Sequence, residues 1–408
     1  MKLNKDQFME QGYLIIPGLF NPRKLETMRT SCEIALERQK VIWARDREPG
    51  APPGGAYETA NQPRLTFRDH EIMDRETAPI IEDFWADEGT LDIASQLLCN
   101  PEPNITQMWM MVNPVSDHPG GTGWHRDVHV HDMAPMEALA NDFNENGPKY
   151  VQWNVALYDD DVLWVVPGSH KRINTITENN ELRKDDKNPI SGGVPVKLKA
   201  GDGVVYSNFL LHWGSNYTTK KRRTLHGGHA IFSSYSDLNF IDSLMPSTQD
   251  IFTCDVRRSE HKQNVTESVL RSAIDKDAEG YRRGLENLQP NVGRHGKTAL
   301  TIYLSKIALH TKILKDPEFA LEHPKVVRNR PKSLHPITLN WGPEFSDRFS
   351  NDESSILWQR FKKLDSLLQS ETDDLEPGYQ GDHMKYVVNK LPEGSDSESV
   401  VRSWTHNN

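Results

Sequence analysis

His125 and Asp127 stand two residues apart in the run Gly-Gly-Thr-Gly-Trp-His-Arg-Asp-Val-His over 120–129. Alternate residues of a β-strand face the same way, so an imidazole and a carboxylate at this spacing can grip one metal ion. With 16 histidines in 408 residues, chance alone supplies such a pair, and it gains weight only from its context. That context lies downstream, where Gly201-Asp202-Gly203 launches a β-prone run ending on His212. Two imidazoles and a carboxylate make a facial triad suited to Fe(II), with three positions left open for other ligands. Arg223 follows eleven residues after His212, at the start of the next β-prone run. A guanidinium there can hold a dicarboxylate bidentately, which a lysine would do less well. Its neighbours Lys220, Lys221 and Arg222 read as a solvated charged turn. The same triad around an activated water would make a zinc hydrolase, but that reading leaves Arg223 without a role and lacks a general base.

Periodicity defines the elements that must position these residues. Residues 5–40 read as helical, with Asn21 as a cap, Pro22 in the first turn, and Leu25, Met28, Cys32, Ala35 and Leu36 on one face. A Pro/Gly loop covers 47–55, and helical spacing returns over 79–99 with Thr90 as a cap for its second half. From 105 the period becomes two, in short runs at 105–112, 150–158, 162–166, 194–198, 204–206 and 224–233. Short strands with long connections suit a barrel or sandwich better than a parallel α/β sheet. Beyond 240 the segments 265–288, 300–314 and 354–370 read as helices, and the last forty residues as an acidic, partly flexible tail.

Several segments then align in order: Gln7-Phe8 through Pro17-Gly18, Trp124-His125-Arg126-Asp127, Leu163 to Lys171 (LWVVPGSHK) preceded by Trp153 to Asp160 (WNVALYDD), and Gly201-Asp202 with His212 and Arg223. Together they resemble the phytanoyl-CoA dioxygenase family of Fe(II)/2-oxoglutarate oxygenases. The resemblance implies a mainly β core with α: a double-stranded β-helix of the jelly-roll, cupin-like kind. N-terminal helices and a largely helical C-terminal extension would flank it. It places His125, Asp127 and His212 on iron and Arg223 on the far carboxylate of 2-oxoglutarate, with Gln107 and Ser215 helping to hold that cosubstrate. Asp127 favours hydroxylation, because related halogenases carry a small residue at the corresponding position. The expected organisation is an oxygenase core over 1–240, a helical extension over 241–370 and the tail over 371–408. Trp109, His129, His131 and Trp153 are candidates for the substrate pocket, whereas His170, His226 and His229 read as structural.

Composition excludes other classes. With 58 acidic against 48 basic side chains, the net charge of −10 makes a general nucleic-acid binder a poor reading. No apolar run reaches the ~18–20 residues of a membrane helix, and the N-terminus lacks a signal-peptide core. Three widely spaced cysteines exclude a disulfide scaffold and a cysteine-based zinc site. The expectation is a cytoplasmic enzyme, monomer or homodimer, with a small-molecule substrate and neither nucleic-acid nor membrane partners. With Fe(II), 2-oxoglutarate and O2 it would hydroxylate, or desaturate or cyclise, a C–H of a small polar or amino-acid-derived metabolite, releasing succinate and CO2. The alternatives are a non-catalytic β-helix binding protein and an acyl-CoA hydroxylase, for which Lys220, Lys221 and Arg222 could meet the CoA phosphates.

Overall fold

Asn4 accepts the Gln7 backbone N–H and so caps α1 (Lys5–Gln11), which Gly12 ends in the left-handed region at φ 85°. That stop divides the helix expected over 5–40: Tyr13–Ile16 is strand β1, and a second helix, α2 (Pro22–Arg45), starts at the Asn21 cap. The structure, a computed structural model, describes residues 3–129, 134–231, 238–324, 342–369, 376–380 and 389–405. The remaining strands are β2 (Arg64–Thr66), β3 (Asn104–Met111), β4 (Arg126–His129), β5 (Tyr150–Ala156), β6 (Leu163–Val165), β7 (Val194–Pro195), β8 (Gly203–Tyr206), β9 (His212–Gly214), β10 (Thr224–Ala230) and β11 (Tyr379–Gln380). The segment expected to be helical over 79–99 is a π-turn at Ile81–Trp85 followed by a helix at Glu88–Leu98, whose cap is Asp87 and not Thr90.

Two compact units emerge, one from Met1–Arg126, Pro148–His170 and Ile176–Val256, the other from Asp127–Gly147, Lys171–Thr175 and Arg257–Asn408. The first holds a six-stranded sheet in the order β1-β8-β5-β10-β3-β2 and a three-stranded sheet in the order β7-β6-β9. Among the described residues every pairing in these sheets is antiparallel. Ala156, Val204 and Tyr206 of the large sheet pack with Leu163 and Val165 of the small one and with Val196 just after β7, forming the apolar interior of a double-stranded β-helix. The opposite face of the large sheet meets the aromatic π-turn, where Trp153 lies edge-on to Phe84 at 5.9 Å. The β-prone run expected to end on His212 instead breaks after Tyr206, so that β8 and β9 belong to different sheets.

The second unit is mainly helical. Its long helices include Ala278–Leu288, Arg294–Lys315 and Asn351–Leu368. The last begins with a capping box, in which the Ser350 hydroxyl accepts the Glu353 N–H and the Glu353 carboxylate accepts the Ser350 N–H. Lys306 and Asp365 join two of these helices through a buried ion pair at 3.2 Å. Removing one partner of such a pair costs about 3–5 kcal/mol, because the other is left charged and dry. A further helix at Met136–Asn146, not anticipated from periodicity, lies in this unit, and its Glu145 carboxylate accepts backbone N–H groups of His295 and Gly296.

His229 on β10 is fully buried; the Trp153 indole donates to its Nδ1 at 3.2 Å, and its Nε2 faces the Trp85 carbonyl at 3.0 Å. One ring nitrogen accepts and the other donates, as in a neutral imidazole. Burial pushes its pKa down from 6.5 to about 4, against the opposing hydrogen bond to Trp85. The unfolded chain therefore binds the proton first, and stability falls as pH drops through that window, by roughly 3 kcal/mol. The stability gap between wild type and His229→Gln, measured by urea unfolding, should narrow by about that amount from pH 7 to pH 4.

Candidate active site

His125 and His212 face each other across a two-way backbone bridge, the N–H of each donating to the carbonyl of the other at 2.8 and 2.9 Å. The bridge brings their rings to a centroid separation of 4.3 Å. Asp127, on β4, returns to the same side as His125. One ligand atom from each of His125, Asp127 and His212 lies within 4.8 Å of the others. The Nδ1 atoms of His125 and His212 each lie 2.8 Å from a backbone carbonyl, those of Gly123 and Leu210. A carbonyl only accepts, so each Nδ1 carries the hydrogen and each Nε2 keeps a lone pair for a metal. Two neutral imidazoles and a carboxylate, pre-oriented by backbone carbonyls, fit Fe(II).

Arg126, between His125 and Asp127, escapes sequence reasoning. Its fully buried guanidinium donates to the Ser169 and Phe209 carbonyls, tying the metal strand to the turns that flank the small sheet. The close approach that seats the loop before β4 requires Gly121: its φ is 135°, and a Cβ there would lie 2.6 Å from the Gly214 carbonyl oxygen. The signal for Arg126 was present only as an arginine between two ligands, and exposed arginines are far commoner.

Strand parity sorts the other candidates. Antiparallel partners share a face, and β10 pairs Thr224 with Ala156 and His226 with Asn154, while β8 pairs Tyr206 with Gln152. These residues, with Trp109 opposite His226, therefore belong to the inner face, where the Tyr206 ring lies 5.5 Å from that of His212. Gln107 and Trp109 alternate onto this side; Gln107 is buried, and Trp109 stacks on His226 at 5.9 Å. Trp153 is a correction: it falls on the opposite face, fully buried against Phe84 and the π-turn. Ser215 follows β9, and its hydroxyl donates to the Val162 carbonyl at 3.0 Å. His129 belongs to β4, and His131 lies outside the described residues.

The basic run is the largest departure from expectation. The departure lies in its two arginines: Lys220 and Lys221 are exposed charges, paired with Asp161 and, at 3.0 Å, with Glu33, whereas Arg222 is buried on Asp160 at 2.7 Å and Arg223 on Glu33 at 3.0 Å. Arg223 turns outward, its Nε and Nη2 forking onto the two carboxylate oxygens of Glu33 on α2. Burial pushes the Glu33 carboxyl up, but the hydrogen bond from Lys221 and the Arg223 charge outweigh it and hold it low. Arg222 is only 4% exposed and shares the Asp160 carboxylate with Thr224, an inner-face residue.

An antiparallel double-stranded β-helix carrying a two-histidine, one-carboxylate triad defines a non-haem iron oxygenase. The family model of phytanoyl-CoA dioxygenase matches residues 8–225, and the chain belongs to that family. It is a 2-oxoglutarate-dependent enzyme that uses Fe(II) and O2. No curated protein matches the chain in sequence. Similar solved structures include HygX from Streptomyces hygroscopicus with nickel and 2-oxoglutarate bound, 18% identical over 58% of this chain and 92% of that one, with a TM-score of 0.41. EctD from S. alaskensis with 2-oxoglutarate and 5-hydroxyectoine is 17% identical over 55% of this chain and 74% of its own, with a TM-score of 0.37. AviO1 from Streptomyces viridochromogenes Tue57 is 18% identical over 55% and 92%, with a TM-score of 0.38. Among the described residues no helix is long and apolar enough to cross a membrane.

If His125, Asp127 and His212 hold the metal, removing one of the three should abolish its loading. Asp127→Ala and His212→Ala are expected to weaken Mn(II) or anaerobic Fe(II) binding by more than about 100-fold, beyond the 10–100-fold loss typical of outer-shell changes. Calorimetric titration measures this, with circular dichroism verifying the fold.

Proposed function

We propose that the protein hydroxylates an unactivated C–H bond of a small polar or amino-acid-derived metabolite, with His125, Asp127 and His212 as the iron ligands. The single observation that carries the reading is the triad, whose two histidine Nδ1 atoms are both spent on backbone carbonyls. Iron(II) with 2-oxoglutarate, when bound, supplies the oxidising chemistry: O2 is consumed, 2-oxoglutarate leaves as succinate and CO2, and a substrate C–H is oxidised. The chain's own residues bind, orient and exclude water. A carboxylate at Asp127 takes the position that a halide would need, which favours hydroxylation over halogen transfer.

Side-chain contacts support Arg222, in place of the Arg223 expected from spacing, as the anchor for the far carboxylate of 2-oxoglutarate. Arg222 shares the Asp160 carboxylate with the inner-face residue Thr224, whereas Arg223 is engaged by Glu33. A polar substrate is supported by the inner face, which carries Gln107, Gln152, Asn154 and His226. The acyl-CoA alternative is disfavoured because every cation of the basic run already has a carboxylate partner.

Anaerobic titration of the Fe(II) protein with 2-oxoglutarate, followed by its visible charge-transfer absorption, tests the assignment. Arg222→Gln should lose saturable binding, a weakening of about 100-fold or more for a charge-assisted pair. Arg223→Gln should bind 2-oxoglutarate within about threefold of wild type while losing stability through Glu33. The reverse pattern would return the role to Arg223. No absorption change in folded wild type would sink the oxygenase reading.

A further inference from the structure

The turn Asp159-Asp160-Asp161 buries one of its three carboxylates. Asp159 and Asp161 remain exposed and pair with Lys199 and Lys220, as surface charges do. Asp160 is only 6% exposed, and its backbone is locked in an antiparallel bridge with Leu198 by hydrogen bonds of 3.0 and 2.8 Å. Three donors converge on its carboxylate: the Val162 N–H on Oδ1 at 2.9 Å, and Arg222 Nε and Thr224 Oγ1 on Oδ2 at 2.7 and 2.8 Å. Burial alone would raise the Asp160 carboxyl, but the Arg222 charge and these hydrogen bonds outweigh it and keep the group ionised.

We propose that Asp160 is a positioning residue for 2-oxoglutarate: it holds the Arg222 fork in the orientation that receives the cosubstrate's far carboxylate. The inference rests on the reading of Arg222 as the anchor. A guanidinium is selective only when its planar fork is aligned beforehand, and a long side chain does not align itself. Here Nε is held by Asp160, Nη1 lies 3.1 Å from Met111 Sδ, and Cζ sits 4.9 Å from the centre of the Tyr217 ring. Among the described residues Nη2 makes no hydrogen bond, and it is left for an incoming acceptor. Asp160 also supplies the charge that lets a buried cation exist before any cosubstrate arrives.

The geometry separates positioning from mere charge. An amide in place of the carboxylate cannot satisfy all three donors: with nitrogen at Oδ1 it faces the Val162 N–H, and with nitrogen at Oδ2 it faces Arg222 Nε. Asp160→Asn therefore disturbs the grip at nearly constant volume. The test uses the full-length Fe(II) protein, with 2-oxoglutarate affinity read anaerobically from the charge-transfer band and its KM read from substrate-free succinate release. The expected result is 2-oxoglutarate binding weakened by about 10- to 100-fold, with Fe(II) affinity unchanged and kcat at saturation within about twofold. Thr224→Val, which removes one donor and keeps the shape, should shift the KM in the same direction by a few-fold, a check should Asp160→Asn fold poorly. A lowered melting temperature with unchanged 2-oxoglutarate affinity would overturn the proposal, since a structural role alone moves the first and not the second. Tighter binding in Asp160→Asn would also overturn it, making Asp160 a competitor for Arg222. Arg222→Gln, run in parallel, separates the two readings: normal cosubstrate binding there defeats the anchor itself, whereas loss there with normal binding in Asp160→Asn defeats only the role of Asp160.

Discussion

The candidate metal centre depends on one short contact, the pair of hydrogen bonds through which His125 and His212 exchange backbone N–H and C=O. The two residues lie 87 positions apart in the numbering of the chain, and this bridge brings their imidazoles together. It fixes the axial position of each ring, and the Gly123 and Leu210 carbonyls then fix the rotation. Much around the bridge serves it: Arg126 ties β4 to the Ser169 and Phe209 carbonyls, and Gly121 lets the preceding loop approach Gly214. A preformed arrangement of this kind lets metal binding proceed without reorganising the strands.

Charge is organised by the same logic. A run of four cations beside a barrel would repel itself, and a buried arginine would be costly without a counter-ion. The acidic turn after β5 and Glu33 on α2 take up all four cations. The division is directional: even-numbered Arg222 goes to the buried Asp160 and odd-numbered Arg223 to Glu33 on the helical side. Two adjacent arginines of identical chemistry thereby acquire different surroundings, one dry and beside the inner face, the other holding a helix against the sheet.

Local signals in the chain were reliable where a residue acts on its immediate neighbours. Asn21 caps α2 because its side chain needs only the N–H three residues on. The His125 and Asp127 spacing was legible because a strand's pleat is local. β1 was not legible: four residues between two helical stretches carry too little periodicity, and their strand character comes from pairing with β8. The break between β8 and β9 was hidden for a similar reason, since a sheet change leaves the hydrophobic pattern intact.

By itself, then, the sequence determined the chemistry on offer and the family: an imidazole–carboxylate pair on one strand, a second imidazole far downstream, and ordered motifs that place the chain among the phytanoyl-CoA dioxygenases. Tertiary structure alone decided which side of each strand every residue occupies. The register of β10 against β5 puts Trp153 on the helical side, and the contacts just before β10 give Arg223 to Glu33 on α2 and Arg222 to the Asp160 carboxylate that inner-face Thr224 shares. The physical reason is the two-residue pleat: a connecting loop one residue longer or shorter reverses the side of every residue after it, and no local pattern records that length.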